Sequence, residues 1–249
     1  HDAGERALRL PGAVALAFLP GTPHAAEQAR RAHTLNKEVL LHLPLQYANG
    51  RVYPMGLSQS LPRGDYTRRL RAALNTVPHV RGVNNHQGSL LSQQREPMRW
   101  LMQDLAAIGG LYFVDSRTAA NSVAYEVARS SGVAAGRRDV FLDAERGDVA
   151  VRAEWQRLLR YALKNGSALG IGHLYPETLG LLEQELPRLA SAGIRLVPPS
   201  ELIYRQGGDR RRRSAPLKFS AAALVIPAPE LPPPTRQQAA VATRPAGSP

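Results

Sequence analysis

Histidines and carboxylates stand where five predicted strands end, and these residue types favour metal-assisted hydrolysis. The strand-end residues are His42, Asn84-Asn85-His86, Asp115-Ser116, Asp143 and Gly172-His173. The carboxyl ends of parallel strands converge in β/α folds, so we expect these residues to face one cleft. A single such residue is equally typical of a helix cap, but five at the same end predict a shared site. Neutral imidazoles and carboxylates suit Zn²⁺ or a similar divalent cation, which would acidify a bound water.

Several other chemistries are excluded by what the sequence lacks. It contains no Cys, so a thiolate nucleophile, a disulfide and a Cys-ligated metal are all ruled out. The G-x-S-x-G serine elbow is absent, as are the G-x-G-x-x-G dinucleotide fingerprint and the phosphate-binding G-x-x-x-x-G-K-[ST] loop. The serine hydrolases and the common nucleotide-binding enzymes are therefore disfavoured.

The elements that must position these residues alternate between short apolar runs and longer amphipathic stretches, which predicts an α/β fold with a parallel sheet. Seven strands are predicted, over residues 14–19, 38–43, 80–84, 111–115, 139–142, 168–172 and 194–198. Six helices are predicted, over residues 25–35, 65–76, 97–108, 119–130, 149–164 and 177–192, with a break at Pro187 in the last. Seven β/α repeats without a switch to a second domain favour a barrel over an open sheet.

The charge is concentrated near the C-terminus. The 249 residues carry a net charge of +12, and half of it follows Tyr204. Residues 205–249 are also rich in proline, so the sequence predicts a globular domain over 1–204 and a basic disordered tail over 205–249. The run from Arg210 to Arg213 is typical of a solubilising extension, or alternatively of a contact with an anionic surface. No stretch approaches 18 consecutive apolar residues, which excludes a membrane-spanning helix.

Six ordered motifs resemble one family. They are Ala17-Phe18-Leu19-Pro20, Glu38-Val39-Leu40-Leu41-His42-Leu43-Pro44, Gly82-Val83-Asn84-Asn85-His86-Gln87-Gly88-Ser89, Phe113-Val114-Asp115-Ser116-Arg117-Thr118, Arg138-Asp139-Val140-Phe141-Leu142-Asp143 and Ile171-Gly172-His173. Together they resemble the divergent polysaccharide deacetylases, over essentially all of residues 1–204. The resemblance implies a distorted (β/α)7-8 barrel, a metal-dependent hydrolase of acetylated glycans, and a location in the periplasm or cell envelope of a Gram-negative bacterium.

The resemblance also implies roles for individual residues. His86 matches a metal-binding histidine, and His173 matches a late histidine that acts as an acid. Leu90 stands where a second metal histidine is usual, so His42 is the candidate replacement, and Zn²⁺ is the expected ion. Asp115 or Asp143 is then the candidate base or base-orienting group, and Arg138 is expected to orient one of these carboxylates through a bidentate pair.

The start of the chain departs from the family pattern. The family opens with a strand that ends in Asp-Asp-x-Gly, immediately before the segment that resembles His1-Asp2-Ala3-Gly4-Glu5. The resemblance therefore implies that this chain lacks one barrel strand and the aspartates that follow it. We expect weak activity or none from the chain alone.

Two alternative functions remain open at this point. One is a catalytically degenerate, metal-stabilised binding or scaffold protein of the envelope, which Leu90 favours. The other is a binder of nucleic acid or a membrane surface through the arginine-rich tail. Few aromatic residues accompany those arginines, so no specific nucleic-acid partner is predicted.

Overall fold

A computed structural model describes residues 2–207 and 220–227, and its core is one curled parallel sheet. The nine strands of this described part are β1 (Ala15–Phe18), β2 (Val39–Leu45), β3 (Val80–Gln87), β4 (Tyr112–Asp115), β5 (Ala135–Arg137), β6 (Val140–Phe141), β7 (Ser167–Ile171), β8 (Ile194–Leu196) and β9 (Ser220–Pro227). They follow the order β5-β4-β3-β2-β1-β9-β7-β6, and β8 pairs with β9. The sheet forms a half-barrel, which confirms the predicted α/β barrel class.

Eight α-helices connect or flank the strands in the described part. They are α1 (Asp2–Arg9), α2 (Ala25–Thr34), α3 (Arg63–Asn75), α4 (Arg95–Ile108), α5 (Ala124–Ser130), α6 (Asp148–Asn165), α7 (Pro176–Glu185) and α8 (Pro199–Gly207). The predicted break at Pro187 is confirmed, because α7 ends at Glu185 and a 3₁₀ turn follows. None of the described helices is long and apolar enough to cross a bilayer.

Strand β9 corrects the prediction of a wholly disordered C-terminal tail. Residues 220–227 lie inside the sheet, where β9 pairs with β7 along one edge and with β8 and then β1 along the other. Its six-residue apolar run from Ala221 to Ile226 is fully buried. Burial of these side chains stabilises the strand, although the sequence around it is basic and rich in proline. In the sheet, β9 thus lies between β1 and β7. Residues 208–219, with Arg210–Arg213, and 228–249 lie outside the described residues.

Alternation along the strands separates an inner layer from an outer one. Leu40 of β2 and Ile171 of β7 belong to an apolar cluster inside the curl, which Ile203 of α8 also joins. Their neighbours with opposite parity pack in the larger cluster beneath the helices. Because side chains alternate with a period of two, His42 and His173, two residues beyond Leu40 and Ile171, extend the inner layer toward its open end. The sheet therefore aims both histidines at one mouth.

Candidate active site

A cavity of about 270 Å³ opens at the carboxyl ends of the strands, and it collects most of the predicted site residues. His42 of β2, His86 of β3, Ser116 after β4 and His173 after β7 all line it, and so does Arg138. Such a volume is near the lower limit of small-molecule pockets, which hold roughly 300–1,000 Å³. The cavity therefore has room for a small part of a polymer rather than for a long segment.

His42 and His86 form a buried pair on neighbouring strands. The ring nitrogens His86 Nδ1 and His42 Nε2 lie 3.0 Å apart, so one donates a hydrogen bond to the other. Burial, together with the nearby His173, lowers the pKa of His86 to about 4. Burial and the adjacent His86 likewise hold the pKa of His42 well below its ordinary value. Both imidazoles are therefore neutral near pH 7, which is the form that binds metals.

This pair fits part of the metal site that the sequence predicted. Two nitrogens bound to one tetrahedral Zn²⁺ at about 2.0–2.1 Å lie roughly 3.3 Å from each other. The 3.0 Å separation between His42 and His86 is close to that value. Among the described residues, no cluster of three or more His, Cys, Asp or Glu side chains could hold a metal ion. The described part of the chain thus supplies two candidate ligands and no third.

Asp143 holds His173 rather than facing the cavity. Its Oδ1 lies 2.9 Å from His173 Nδ1, and its Oδ2 accepts the His173 backbone N–H at 2.5 Å. The Thr178 hydroxyl, at the start of α7, donates to the same Oδ2 at 2.8 Å. The Asp143 side chain is fully buried, whereas the His173 ring keeps 21% of its surface exposed. This arrangement leaves His173 Nε2 as the nitrogen that can exchange protons with a ligand.

Asp115 is placed away from the cavity, contrary to its predicted role as a base or base-orienting group. It shares the parity of Phe113, which packs in the outer layer, so its carboxylate points to the helix side of β4. Oδ1 accepts the Arg117 N–H at 2.8 Å. Oδ2 accepts the Ser122 hydroxyl at 2.8 Å and the Tyr125 N–H at 3.3 Å. Asp115 therefore stabilises the connection from β4 to α5.

Arg138 lines the cavity but does not form the predicted bidentate pair with a carboxylate. Its Nε donates to the Ser116 carbonyl at 2.6 Å, and its Nη2 donates to the Arg117 carbonyl at 2.9 Å. The backbone after β4 turns so that both carbonyls face the guanidinium, and Arg117 has a left-handed φ of 49°. Such a φ is uncommon for a residue with a Cβ and marks a backbone held by its surroundings.

Several cavity residues have no counterpart in the sequence prediction. They are Tyr47, Gln87, Ser89, Thr118, Phe141 and Pro227. Phe141 lies inside the strand predicted over residues 139–142, but nothing in the sequence marked it as a cavity residue. Tyr47 and Thr118 lie on loops after strands, where no periodic pattern exists. Pro227 belongs to β9, which the sequence analysis assigned to the tail.

Comparison with known proteins identifies relatives of this chain. A family model described as divergent polysaccharide deacetylase matches residues 1–203. The uncharacterized protein YibQ of Escherichia coli K12 is 36% identical over 197 residues, which cover 79% of this chain and 61% of that protein. An uncharacterized protein of Haemophilus influenzae Rd is 30% identical over 223 residues, covering 88% of this chain and 76% of that protein. This chain thus spans about three-fifths of the length of the E. coli relative.

A solved structure shares the architecture. The crystal structure of the uncharacterized protein ATU2773 from Agrobacterium tumefaciens C58 superposes with a TM-score of 0.77 at 25% identity. The superposition covers 81% of this chain and 83% of that one. The curled sheet and its helical layer are therefore shared with an experimentally determined protein.

Proposed function

Because this chain belongs to the divergent polysaccharide deacetylase family, we propose that its cavity removes acetyl groups from a polysaccharide by metal-dependent hydrolysis. The observation that carries the proposal is that one cavity contains both a pair of candidate metal ligands and a separate candidate proton donor, all of them histidines. His42 and His86 form a neutral, buried pair, while His173 is braced by Asp143. Nitrogen ligands beside an oriented proton donor are the groups that hydrolysis of an amide or ester needs.

His42 and His86 would hold the divalent ion, for which Zn²⁺ is the first candidate, together with a further ligand outside the described set. Such an ion supplies Lewis-acid polarisation of the acetyl carbonyl and lowers the pKa of a bound water. The two imidazoles have the right chemistry for this task, because burial keeps them neutral.

His173 would act at the leaving group. Hydrolysis would add water to the acetyl carbonyl carbon, with one water proton released to solvent, and then break the bond from that carbon to the sugar nitrogen or oxygen. The leaving atom needs a proton, which protonated His173 donates from Nε2 while Asp143 stabilises the imidazolium through Nδ1. Acetate and the deacetylated sugar are the products. Asp143 is thus a positioning residue, because its oxygens bind His173 and Thr178 instead of the substrate.

One observation favours a second candidate function. Among the described residues that line the cavity, none is Asp or Glu, so no free carboxylate base faces the ligand there. A cavity with this composition suits an envelope protein that binds a glycan without turning it over. The periplasm or cell envelope remains the proposed location under either function.

Acetate release from partially acetylated polysaccharides separates the two candidates. We expect zinc-dependent release by the wild-type protein and a loss of about 100-fold in His173→Gln, since general acid catalysis contributes typically 10²–10⁴-fold. Exposed His33 on α2 gives the matched control, His33→Gln, which should retain full activity. Glycan binding without acetate release at any zinc concentration would favour the binding protein.

A further inference from the structure

Arg138 gives the cavity a permanent positive charge that the proposed chemistry does not use. It is the only Lys or Arg among the described cavity-lining residues, and these residues include no carboxylate. The guanidinium cannot lose its proton in a protein, so the charge persists at any working pH. A cavity wall that holds one cation and no carboxylate favours an anionic ligand.

The guanidinium is fixed in place and still has donors to offer. Its Nε and Nη2 are anchored to the Ser116 and Arg117 carbonyls. Two of its five N–H donors are used in this way, and no hydrogen bond to a described residue engages the other three. Because the carbonyls occupy the Nε side, the edge formed by the two terminal nitrogens stays available. That edge matches a planar carboxylate in a bidentate arrangement.

The carboxylates near Arg138 accept hydrogen bonds from groups other than its guanidinium. Asp115 and Asp139 lie close enough to raise the pKa of Arg138, although burial and the adjacent Arg117 lower it overall. The Asp115 oxygens accept hydrogen bonds from the β4–α5 connection. Asp139 Oδ2 accepts the Leu169 N–H at 2.8 Å. The side-chain hydrogen bonds of Arg138 to described residues go to backbone carbonyls and not to either carboxylate.

Phe141 contacts both this cation and the proposed proton donor. The Arg138 guanidinium carbon is 4.9 Å from the Phe141 ring centroid, and the His173 ring centroid is 5.3 Å from the same point. Arg138 and His173 also line the same cavity. A glycan whose acetyl group reaches His173 can therefore present a neighbouring anionic group to Arg138.

We propose that Arg138 binds a carboxylate of the glycan, so that the substrate class is an acetylated acidic polysaccharide containing uronic acid or another carboxylated sugar. The inference rests on the proposed function in that its ligand is a glycan in the same cavity. It requires binding and no turnover, so it can be tested separately.

Equilibrium binding of matched neutral and acidic probes tests this proposal. The acidic probe is a tetrasaccharide of alternating N-acetylglucosamine and glucuronate, and its methyl ester is the neutral counterpart of almost identical shape. Wild type should bind the acid about 10-fold more tightly than the ester, the scale expected for a charge-assisted pair. Arg138→Gln should abolish this discrimination, and Arg138→Lys should keep only part of it, because it retains the charge without the planar fork.

The controls separate the site from a general charge effect and from misfolding. Arg30→Gln removes the same charge from an exposed position on α2 and should keep the full preference for the acid. The near-ultraviolet circular dichroism of Arg138→Lys should match that of wild type. Its weaker preference for the acid would then come from the changed side chain and not from misfolding.

Four results would overturn the proposal. They are equal affinity of wild type for the acid and the ester, discrimination that survives in Arg138→Gln, no binding of the acid at millimolar concentration, and Arg138-dependent binding of inorganic phosphate at least as tight as that of the acid. Failure of acetate release with the discrimination intact would instead count against the proposed hydrolysis and leave the carboxylate site standing.

Discussion

Asp143 contacts His173 through both of its carboxylate oxygens. One oxygen lies 2.9 Å from the ring Nδ1, and the other accepts the backbone N–H at 2.5 Å. The double contact fixes both the position of the residue and the orientation of its imidazole. Thr178 adds a third tie to the carboxylate from α7. Rotation of His173 away from the cavity would therefore break hydrogen bonds to a buried charge, which is costly.

Asp143→Asn should lower acetate release by about 10–100-fold, because it removes the negative charge that stabilises protonated His173. The loss should fall on kcat and leave KM nearly unchanged, because Asp143 contacts His173 and not the substrate. Thr178→Val keeps the carboxylate and should retain most of the wild-type kcat. An unchanged kcat in Asp143→Asn would rule out the positioning role.

Asp115 should behave differently from Asp143. Asp115→Ala removes the acceptor for the Arg117 and Tyr125 backbone N–H groups, so we expect a stability loss of about 2–3 kcal/mol by urea unfolding. The pH–rate profile should keep its shape, because this carboxylate lies on the helix side of β4. A profile that loses a limb in Asp115→Ala would restore Asp115 as a catalytic base.

Strand β9 should be essential to the fold. Val225 lies in the inner cluster with no exposed surface, and it pairs with Ala15 on one side and Ile171 on the other. Val225→Asp should destabilise the protein by at least about 3 kcal/mol, because it buries an unpaired charge. Val149→Asp, at a position 87% exposed, makes the same chemical change at the surface and should have little effect. Equal stability of the two variants would contradict the placement of β9.

The metal-free protein should lose stability as the pH falls below neutrality. Burial lowers the pKa of His86 to about 4 from its ordinary 6.5, so between these values the unfolded chain binds a proton that the folded chain does not. The free energy of unfolding therefore falls as the pH drops through that window, by up to about 3 kcal/mol from this residue. His42 acts in the same direction.

Comparison of His86→Gln with His33→Gln isolates the contribution of His86 to the pH dependence of stability. With a chelator present, urea unfolding between pH 7 and 4.5 should show a shallower pH dependence in His86→Gln than in wild type. His33→Gln, at an exposed position, should retain the wild-type slope. Equal slopes in wild type and His86→Gln would refute the burial of a neutral His86.

The sequence predicts the convergence at the cavity better than it predicts the individual contacts. Strand-end position brought His42, His86 and His173 to one cavity, because parallel strands share a carboxyl edge. The same argument failed for Asp115, since strand ends alternate between two faces and parity decides which face a residue occupies. Arg138 failed for another reason, because its partners are backbone carbonyls that only the folded turn after β4 presents.

The C-terminal strand shows how composition hides a local signal. The Ala221–Ile226 stretch is a short apolar run of the kind that forms buried strands, yet arginines and prolines dominate the segments around it. Its place in the sheet depends on pairing with β1 and β7, both more than 45 residues away in sequence. Such long-range pairing has no counterpart in any window of the sequence.

Zinc binding tests the central claim of a metal-holding histidine pair beside an independent proton donor. Isothermal titration of the metal-free protein with zinc should give about one site per chain in wild type. His86→Ala should weaken binding by at least about 100-fold, whereas His173→Ala should leave the affinity within about twofold of wild type. Equal losses in the two variants, or no zinc binding by wild type, would contradict the account.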